Sequence, residues 1–130
     1  MAAQPDLWGE IPVDDVRTPV TILREQAALL GPKTKNIIEA RVSTLARDGH
    51  FYHSFDLIVP ALDNYIYELF RVDHDVTLYP IYTPNDEKST FRGSKISLKT
   101  EEEFTDWLRH RLSSHETRKI ISSLLAQATN

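Results

Sequence analysis

Cysteine is absent from this chain of 130 residues, and glycine is scarce, with four copies. Without cysteine the protein can form no disulfide, no thiolate zinc site and no cysteine nucleophile. The glycines form no phosphate-binding loop, because Gly31 stands alone and lacks the spacing of a P-loop. A G-x-S-x-G nucleophile elbow is also missing. The sequence therefore lacks the signals of thiol enzymes, P-loop proteins and serine hydrolases.

Long apolar runs and an excess of positive charge are missing as well. No run approaches the roughly 20 apolar residues that a membrane span needs. The N-terminus lacks the basic start and apolar stretch of a signal peptide. We therefore expect a cytoplasmic protein with no membrane segment, which the absence of cysteine also fits. The net charge is −4, which disfavours binding to phosphate backbones but is too modest for an acidic DNA mimic.

The composition predicts one globular domain that follows a short arm. Hydrophobic residues make up 41% and charged residues 26% of the chain, and both values are ordinary for a globular domain. Residues 1–17 are predicted to be an extended arm whose Trp8 and Ile11 are packed against a surface instead of standing free in solvent. The first 16 residues carry four acidic side chains and no Lys or Arg. Residues 18–130 are predicted to form a single α+β domain.

An amphipathic helix is predicted over residues 18–30. Thr18 is a suitable N-cap, and Pro19 suits the first helical position. The dipeptide Gly31-Pro32 predicts the end of the helix. Apolar residues at helical spacing form one stripe, at Val20, Leu23, Ala27 and Leu30.

A β-hairpin is predicted over residues 36–60, around an Asp-Gly dipeptide. Asp-Gly is a preferred type I′ turn, and it fixes a register in which the numbers of paired residues sum to 97. In this register the apolar residues share one face, with His53 across from Thr44 near the end of that face. On the other face Arg41 lies opposite Asp56, which predicts a cross-strand ion pair.

Two further strands are predicted over residues 64–72 and 76–82, with residues 73–75 as the turn between them. Pro80 cannot donate a ladder hydrogen bond, so the second of these strands is predicted at the edge of the sheet. Residues 83–95 predict a mobile polar loop, and the segment around Ile96 and Leu98 predicts a short fifth strand.

Two capping boxes predict two C-terminal helices that separate near Ser113. The first box joins Thr100 to Glu103, and the second joins Ser113 to Glu116. The predicted fold class is therefore α+β. It has an N-terminal helix, an antiparallel sheet of four or five strands in hairpins, and two C-terminal helices packed on the sheet.

The triplet Asp73-His74-Asp75 is the densest group of possible metal ligands. Adjacent residues of a strand point to opposite faces, and a firm site needs further ligands from elsewhere. We interpret the triplet as an exposed turn. His110 and His115 are five residues apart, which is not the i, i+4 spacing of a helical zinc site. The sequence therefore predicts no metal ion and no cofactor.

A pocket between the sheet and the helices is one possible site. His53 is a candidate to line it, although a peripheral core histidine is the simpler interpretation. Asp56 and Glu68 lie on adjacent strands and are the other candidate polar groups. Together with Arg71 they suggest a metal-dependent nuclease, but Arg41 already explains Asp56, and an acidic pair alone is not a motif. We find no catalytic set.

Tyrosines are concentrated in the second pair of strands, beside the predicted sheet edge. Tyrosine is enriched at protein interfaces because it combines a large contact area with a polar tip, and an edge strand can pair with another chain. The candidate partner-binding residues are Tyr65, Tyr67, Tyr79 and Tyr82. They lead to the main hypothesis, a small non-catalytic protein that acts by binding a protein partner or by forming a homodimer. An accessory subunit or an immunity-like inhibitor would have this role. The alternative is an enzyme or small-ligand-binding domain with a pocket between sheet and helices.

Overall fold

The computed structural model describes residues 4–12, 16–84 and 95–130, and it confirms the predicted α+β class. Five strands form one antiparallel sheet in chain order, from β1 to β5. Among the described residues, no helix has both the length and the apolar character to span a bilayer. The elements are α1 (Pro19–Lys33), β1 (Glu39–Arg47), β2 (His50–Val59), a 3-10 turn (Pro60–Leu62), β3 (Tyr65–Asp75), β4 (Ile81–Pro84), β5 (Lys95–Leu98), α2 (Glu101–Leu112) and α3 (His115–Ala128).

The first hairpin, β1–β2, has the predicted turn and register. Asp48 and Gly49 have φ angles of 52° and 74°, the positive values that a type I′ turn needs at both central positions. Thr44 pairs with His53, as predicted. The register holds because the turn geometry and the alternation of apolar residues favour the same pairing.

The predicted ion pair between Arg41 and Asp56 is wrong, although the two residues are register partners. The Asp56 carboxylate accepts a hydrogen bond of 2.7 Å from the hydroxyl of Ser54, two residues earlier on the same strand. Asp56 is 8% exposed, whereas Arg41 is exposed to solvent. The register of two strands places the backbones of Arg41 and Asp56 opposite each other, but it does not determine which groups their side chains contact.

The prediction that residues 73–75 form a turn is also wrong. They are the last residues of β3, because β2 begins at His50 and pairs with β3 as far as Asp75. The chain reverses over residues 76–80 instead, and an oxygen of the Asp75 carboxylate accepts the Thr77 N–H at 2.8 Å.

The predicted edge position of the fourth strand is wrong because β4 lies between β3 and β5. Pro80 comes before β4, so its missing N–H removes nothing from the ladder. The predicted fifth strand is present, and β1 and β5 form the two edges. The predicted loop over residues 83–95 falls mostly on residues 85–94, which lie outside the described residues.

The helix starts follow the predicted capping signals closely. Thr18 and Thr100 accept backbone hydrogen bonds at the starts of α1 and α2, at 3.2 and 3.1 Å. The cap of α3 is Ser114 and not Ser113, because Ser113 ends α2. Helix α1 continues past the predicted stop at Gly31-Pro32 to Lys33. A proline in the last turn removes a single helical hydrogen bond, so the helix tolerates it there.

One face of the sheet, here called the inner face, carries the core together with the helices. Phe55 and Phe70 stack with ring centroids 5.0 Å apart, and Trp107 of α2 meets Phe70 edge-on at 5.1 Å. Helix α1 packs on β1, whereas α2 contacts β5 and α3 contacts the 3-10 turn. On the inner face, α1 therefore lies near the β1 edge of the sheet and α2 lies near the β5 edge. A gap between the helices remains above the middle strands.

The described part of the N-terminal arm, residues 4–12, forms no helix or strand, and all of it is exposed. Trp8 is 82% exposed and Ile11 is 67% exposed. The prediction that these two side chains pack on the protein is therefore wrong for the single chain. The division into an arm and one domain stays a prediction.

Candidate functional site

A groove of about 560 Å³ lies above the middle strands, between α1 on one side and α2 and α3 on the other. Such a volume is in the range of ligand-binding clefts, about 300–1,000 Å³. Sheet residues form its floor, namely Phe55, Leu57 and Leu69. The helix residues of the groove are Ile22, Gln26, Leu29, Leu30 and Lys33 of α1, Thr105, Leu108, Arg109 and Leu112 of α2, and Thr117, Arg118 and Ile121 of α3, with Arg17 and Ser113 beside them.

The walls of the groove expose apolar surface, whereas the floor is closely packed. Leu29 is 50% exposed, and Leu30, Leu112 and Ile121 are partly exposed. Leu69, on the floor, is 4% exposed. A leucine half open to water is common on its own, but here it continues the apolar lining of a concave surface. The groove can therefore bury apolar groups of a ligand without opening the core.

A β-bulge places Leu69 in the groove. The register between β2 and β3 shifts after Phe55, which pairs with Phe70, so that Asp56 pairs with Glu68 and Leu69 has no opposite residue. The free carbonyl oxygen of Leu69 accepts a hydrogen bond of 2.7 Å from the guanidinium of Arg111 in α2. Bulges redirect side chains in this way, and this one ties the floor of the groove to one of its walls.

Four basic side chains line the groove, and no acidic side chain among residues 4–12, 16–84 and 95–130 lines it. Arg17 is paired with Glu25, and Arg109 is 2.9 Å from the carboxylate of Asp106. Lys33 and Arg118 make no ion pair with any acidic group of the described residues. The groove therefore combines an apolar lining with a positive rim, although the chain as a whole is acidic.

A chain of hydrogen bonds on the inner face, here called the histidine network, connects Thr44, His53, His74 and the carbonyl of Asp75. The Nε2 atoms of the two imidazoles are 2.8 Å apart. Nδ1 of His53 is 3.0 Å from the Thr44 hydroxyl, and Nδ1 of His74 is 2.7 Å from the Asp75 carbonyl oxygen. His53 is 2% exposed and His74 is 4% exposed.

The carbonyl at the end of the network fixes where its protons lie. A carbonyl oxygen only accepts, so Nδ1 of His74 carries the hydrogen and its Nε2 is a lone-pair acceptor. Nε2 of His53 must then donate to His74, which leaves Nδ1 of His53 to accept from the Thr44 hydroxyl. This assignment follows from the donor and acceptor inventory of the network. With both imidazoles neutral, every polar atom in it is satisfied.

His53 resists protonation because it is buried in this network. Burial, supported by the electrostatic effects of the neighbouring His74 and Arg24, lowers the pKa of His53 from 6.5 to about 4. A second proton between the two Nε2 atoms would place two donors against each other. His53 is therefore a neutral structural residue at neutral pH, and it does not line the groove.

The other predicted pocket residues also lie away from the groove. Asp56 and Glu68 are register partners, on the outer face of the sheet, opposite the helices. Glu68 pairs with Arg71 at 3.1 Å. His53 is on the inner face, so the structure brings Asp56 and Glu68 together but separates His53 from both.

The triplet Asp73-His74-Asp75 does not converge on one point. His74 faces the histidine network, whereas the carboxylate of Asp73 is 2.6 Å from Nε2 of His50 and 3.9 Å from the Lys95 ammonium. Within residues 4–12, 16–84 and 95–130, no group of three or more His, Asp or Glu side chains could hold a metal ion. No local pattern in the sequence indicates the pairing of His50 with Asp73, because the two residues lie on different strands, β2 and β3.

The four candidate tyrosines do not form one surface. Tyr67 and Tyr79 are partly buried against the core, and the Tyr79 hydroxyl is buried with no hydrogen-bond partner among the described residues. Tyr65 is 46% exposed. Tyr82 pairs with Asp73, on the outer face. As a partner-binding surface these tyrosines stay a prediction.

A smaller concavity of about 420 Å³ lies beside β1, lined on the outer face by Arg47, Tyr52 and Arg71 among others. Arg71 is already paired with Glu68. Leu45 is the one aliphatic residue among its described lining residues, whereas the groove has several. We therefore regard the groove as the better candidate site.

The groove residues were missed at the level of sequence, although one signal was present. Helix α1 carries Ile22 and Leu29 outside its predicted apolar stripe, and both line the groove. Apolar residues beyond the stripe that packs on the sheet indicate a second apolar face. Which residues of α2 and α3 meet that face depends on tertiary packing, and no local pattern encodes it.

The chain was compared with models of protein families, with curated proteins and with solved structures, and none of the three comparisons found a match. The function must therefore be inferred from the geometry of the groove and its surroundings.

Proposed function

We propose that this protein acts by protein–protein interaction, and that its groove takes an acidic, amphipathic segment of a polypeptide. The observation that carries this proposal is the combination of partly exposed apolar walls with four basic side chains and, in the part of the chain that the structure describes, no acidic one. Apolar side chains of the segment would lie between the helices, and its carboxylates would face Lys33 and Arg118. Such an arrangement resembles the apolar core and charged rim of protein interfaces, where arginine is enriched.

The shape of the groove favours a segment over a compact ligand. The α1 residues that line it run from Ile22 to Lys33, a length of about 16 Å at the helical rise. An amphipathic helix or an extended peptide of five to six residues would follow that wall. Grooves between helices are a recurrent way to bind such segments.

The test uses two matched leucines, one in the groove and one on the opposite face of the sheet. Leu29 is 50% exposed and Leu45 is 58% exposed, so Leu29→Glu and Leu45→Glu should both fold. Each variant and the wild type would be used to capture proteins from extracts of the native cell, with quantitative mass spectrometry. A partner that binds the wild type and Leu45→Glu but not Leu29→Glu supports the proposal. Loss of the partner in Leu45→Glu alone, or equal capture by all three, contradicts it.

A small amphipathic carboxylate, such as a fatty acid, is the second candidate. It is favoured by the volume of about 560 Å³, which is typical of small-molecule clefts. Calorimetric titration with a long-chain fatty acid tests it directly. Saturable one-to-one binding that is lost in Leu29→Glu would favour this ligand over a polypeptide segment.

A further inference from the structure

The arm, residues 4–12, exposes three large apolar side chains that have no contact to bury them in the single chain. Leu7, Trp8 and Ile11 are 76%, 82% and 67% exposed. Single exposed apolar residues are ordinary, but three of them close together mark a contact surface. The Asp6 carboxylate accepts the Trp8 N–H at 3.0 Å. The arm thus holds its tryptophan in a local turn without covering it.

The charge of the arm complements the charge of the groove. Residues 4–12 contain Asp6 and Glu10 and no basic residue. The groove has four basic side chains around it, of which Lys33 and Arg118 make no ion pair with the described acidic groups. The two acidic residues of the arm are each followed directly by an apolar residue, Asp6 by Leu7 and Glu10 by Ile11.

The lengths of the two features also agree. The arm from Asp6 to Ile11 spans about 16 Å when it is extended. The α1 wall of the groove, from Ile22 to Lys33, has about the same length at the helical rise. In an extended arm Leu7 and Ile11 point to one face and can reach the apolar lining, whereas Trp8 and the carboxylates of Asp6 and Glu10 point to the other face, toward the walls and the basic rim.

The geometry points to the arm of a second copy of this chain as the occupant of the groove. This inference rests on the proposed function of the groove. Within one chain the whole described arm is exposed and the groove is open. Two copies that exchange arms make the same contact twice around a two-fold axis, which closes the assembly at a dimer. The second contact is then intramolecular, so two weak contacts give one stable dimer.

The exchange of arms is tested by analytical ultracentrifugation of the full chain over a concentration series, which gives the Kd of the dimer. The wild type should be a dimer that dissociates on dilution. Leu7→Ala combined with Trp8→Ala should raise the dimer Kd by about tenfold or more, since apolar anchors dominate interfaces. Leu29→Glu should raise it at least as much, because it places a carboxylate in the path of the acidic arm. Leu45→Glu, on the outer face, should leave the Kd unchanged.

The double variant Leu7→Ala/Trp8→Ala, here called the arm variant, can be mixed with Leu29→Glu. The mixture distinguishes an arm that binds the groove of a second copy from an arm that binds the groove of its own chain. Each variant alone should be monomeric at concentrations where the wild type is a dimer. The mixture should form a heterodimer, because one chain keeps its groove and the other keeps its arm. Its Kd should lie above that of the wild type, since one contact replaces two. A mixture that forms no more dimer than either variant alone, at any concentration of the series, overturns the inference.

Two further results would overturn the inference. One is a wild-type chain that remains monomeric at every concentration, and the other is a dimer that survives both the arm variant and Leu29→Glu. The proposed function is judged separately. If a captured partner still depends on Leu29 while the chain is monomeric, the exchange of arms is wrong and the groove remains a binding site.

Discussion

The histidine network and the groove lie on the same face of the same two strands, β2 and β3. They differ in how much of their side chains is exposed to solvent and in whether their polar groups have partners. In the network both ring nitrogens of His53 and of His74 have a hydrogen-bond partner, and both side chains are buried. In the groove the walls are half open to water, and two cations lack an ion pair among the described residues.

This difference separates structural from functional polar residues. A closed hydrogen-bond network specifies the packing of β2 against β3 and offers no group to a ligand. An apolar surface with unpaired cations has free energy to gain from a complementary partner. Conspicuous residues such as adjacent histidines and aspartates are therefore a poorer guide to binding than partly exposed leucines beside unpaired charges.

The largest effect on stability is expected from breaking the network. His53→Ala removes the donor to His74 and the acceptor of the Thr44 hydroxyl, and it leaves a cavity. The free energy of unfolding should fall by roughly 2–4 kcal/mol, as measured by urea denaturation. His115→Ala is the matched control, because His115 is exposed and its loss should cost less than about 0.5 kcal/mol. Equal effects of the two substitutions would show that the network does not stabilise the fold.

The pH dependence of stability should reveal the same network. The pKa of His53 is lowered to about 4 in the folded state, so the unfolded chain binds more protons between about pH 6.5 and pH 4. The contribution of His53 is thus complete above pH 6.5 and is lost as the pH falls. Between about pH 7 and pH 5 the loss should be near 2 kcal/mol. His53→Ala should reduce this slope, and an unchanged slope would contradict the assignment.

Tyr79 differs from the histidine network because its hydroxyl is buried without a hydrogen-bond partner among the described residues. A smaller effect on stability is therefore expected from changing it. Burial, with the charge of Glu101, raises the pKa of Tyr79. Tyr79→Phe removes the unpaired hydroxyl while keeping the ring in place. Thermal or urea unfolding should therefore show no loss of stability, and a gain of up to about 1 kcal/mol. A clear loss would mean that the hydroxyl has a partner.

The smallest effect on stability is expected in the groove. Leu29→Glu changes a half-exposed side chain to another good helix former, so the free energy of unfolding should change by less than about 0.5 kcal/mol. The same substitution should weaken binding to the groove by about tenfold or more. Urea denaturation at a concentration where both proteins are monomeric gives the stability, and sedimentation at higher concentrations gives the binding, so the two quantities stay independent. If stability and binding fall together, Leu29 belongs to the core.

The sequence predicts those parts of the fold that local chemistry controls. The Asp48-Gly49 turn fixes the register of β1 with β2, and Thr18 and Thr100 begin their helices as capping residues do. The end of β3 could not be predicted, because Asp73 and His74 are polar residues that a neighbouring strand holds in the sheet. Asp73 contacts His50 and His74 contacts His53, and both histidines belong to β2. The sequence of β3 alone does not indicate these contacts.

The candidate site is less predictable than the fold for the same reason. The sequence favours a pocket between sheet and helices as an alternative site, but His53, Asp56 and Glu68 do not line the groove. The groove depends on a gap between helices that are distant in sequence and on the bulge at Leu69. Neither is visible in hydrophobic periodicity, which reports the face of an element and not its neighbour.

Methyl NMR of the full-length chain over a concentration series tests the central claim most directly. If the groove is the binding surface and a second copy fills it, the methyl signals of Ile22, Leu29 and Ile121 should shift as the concentration rises. Those of Leu45 and Ile66, on the outer face, should stay in place. Shifts confined to Leu45 and Ile66, or no shift in any of these signals, would contradict the account.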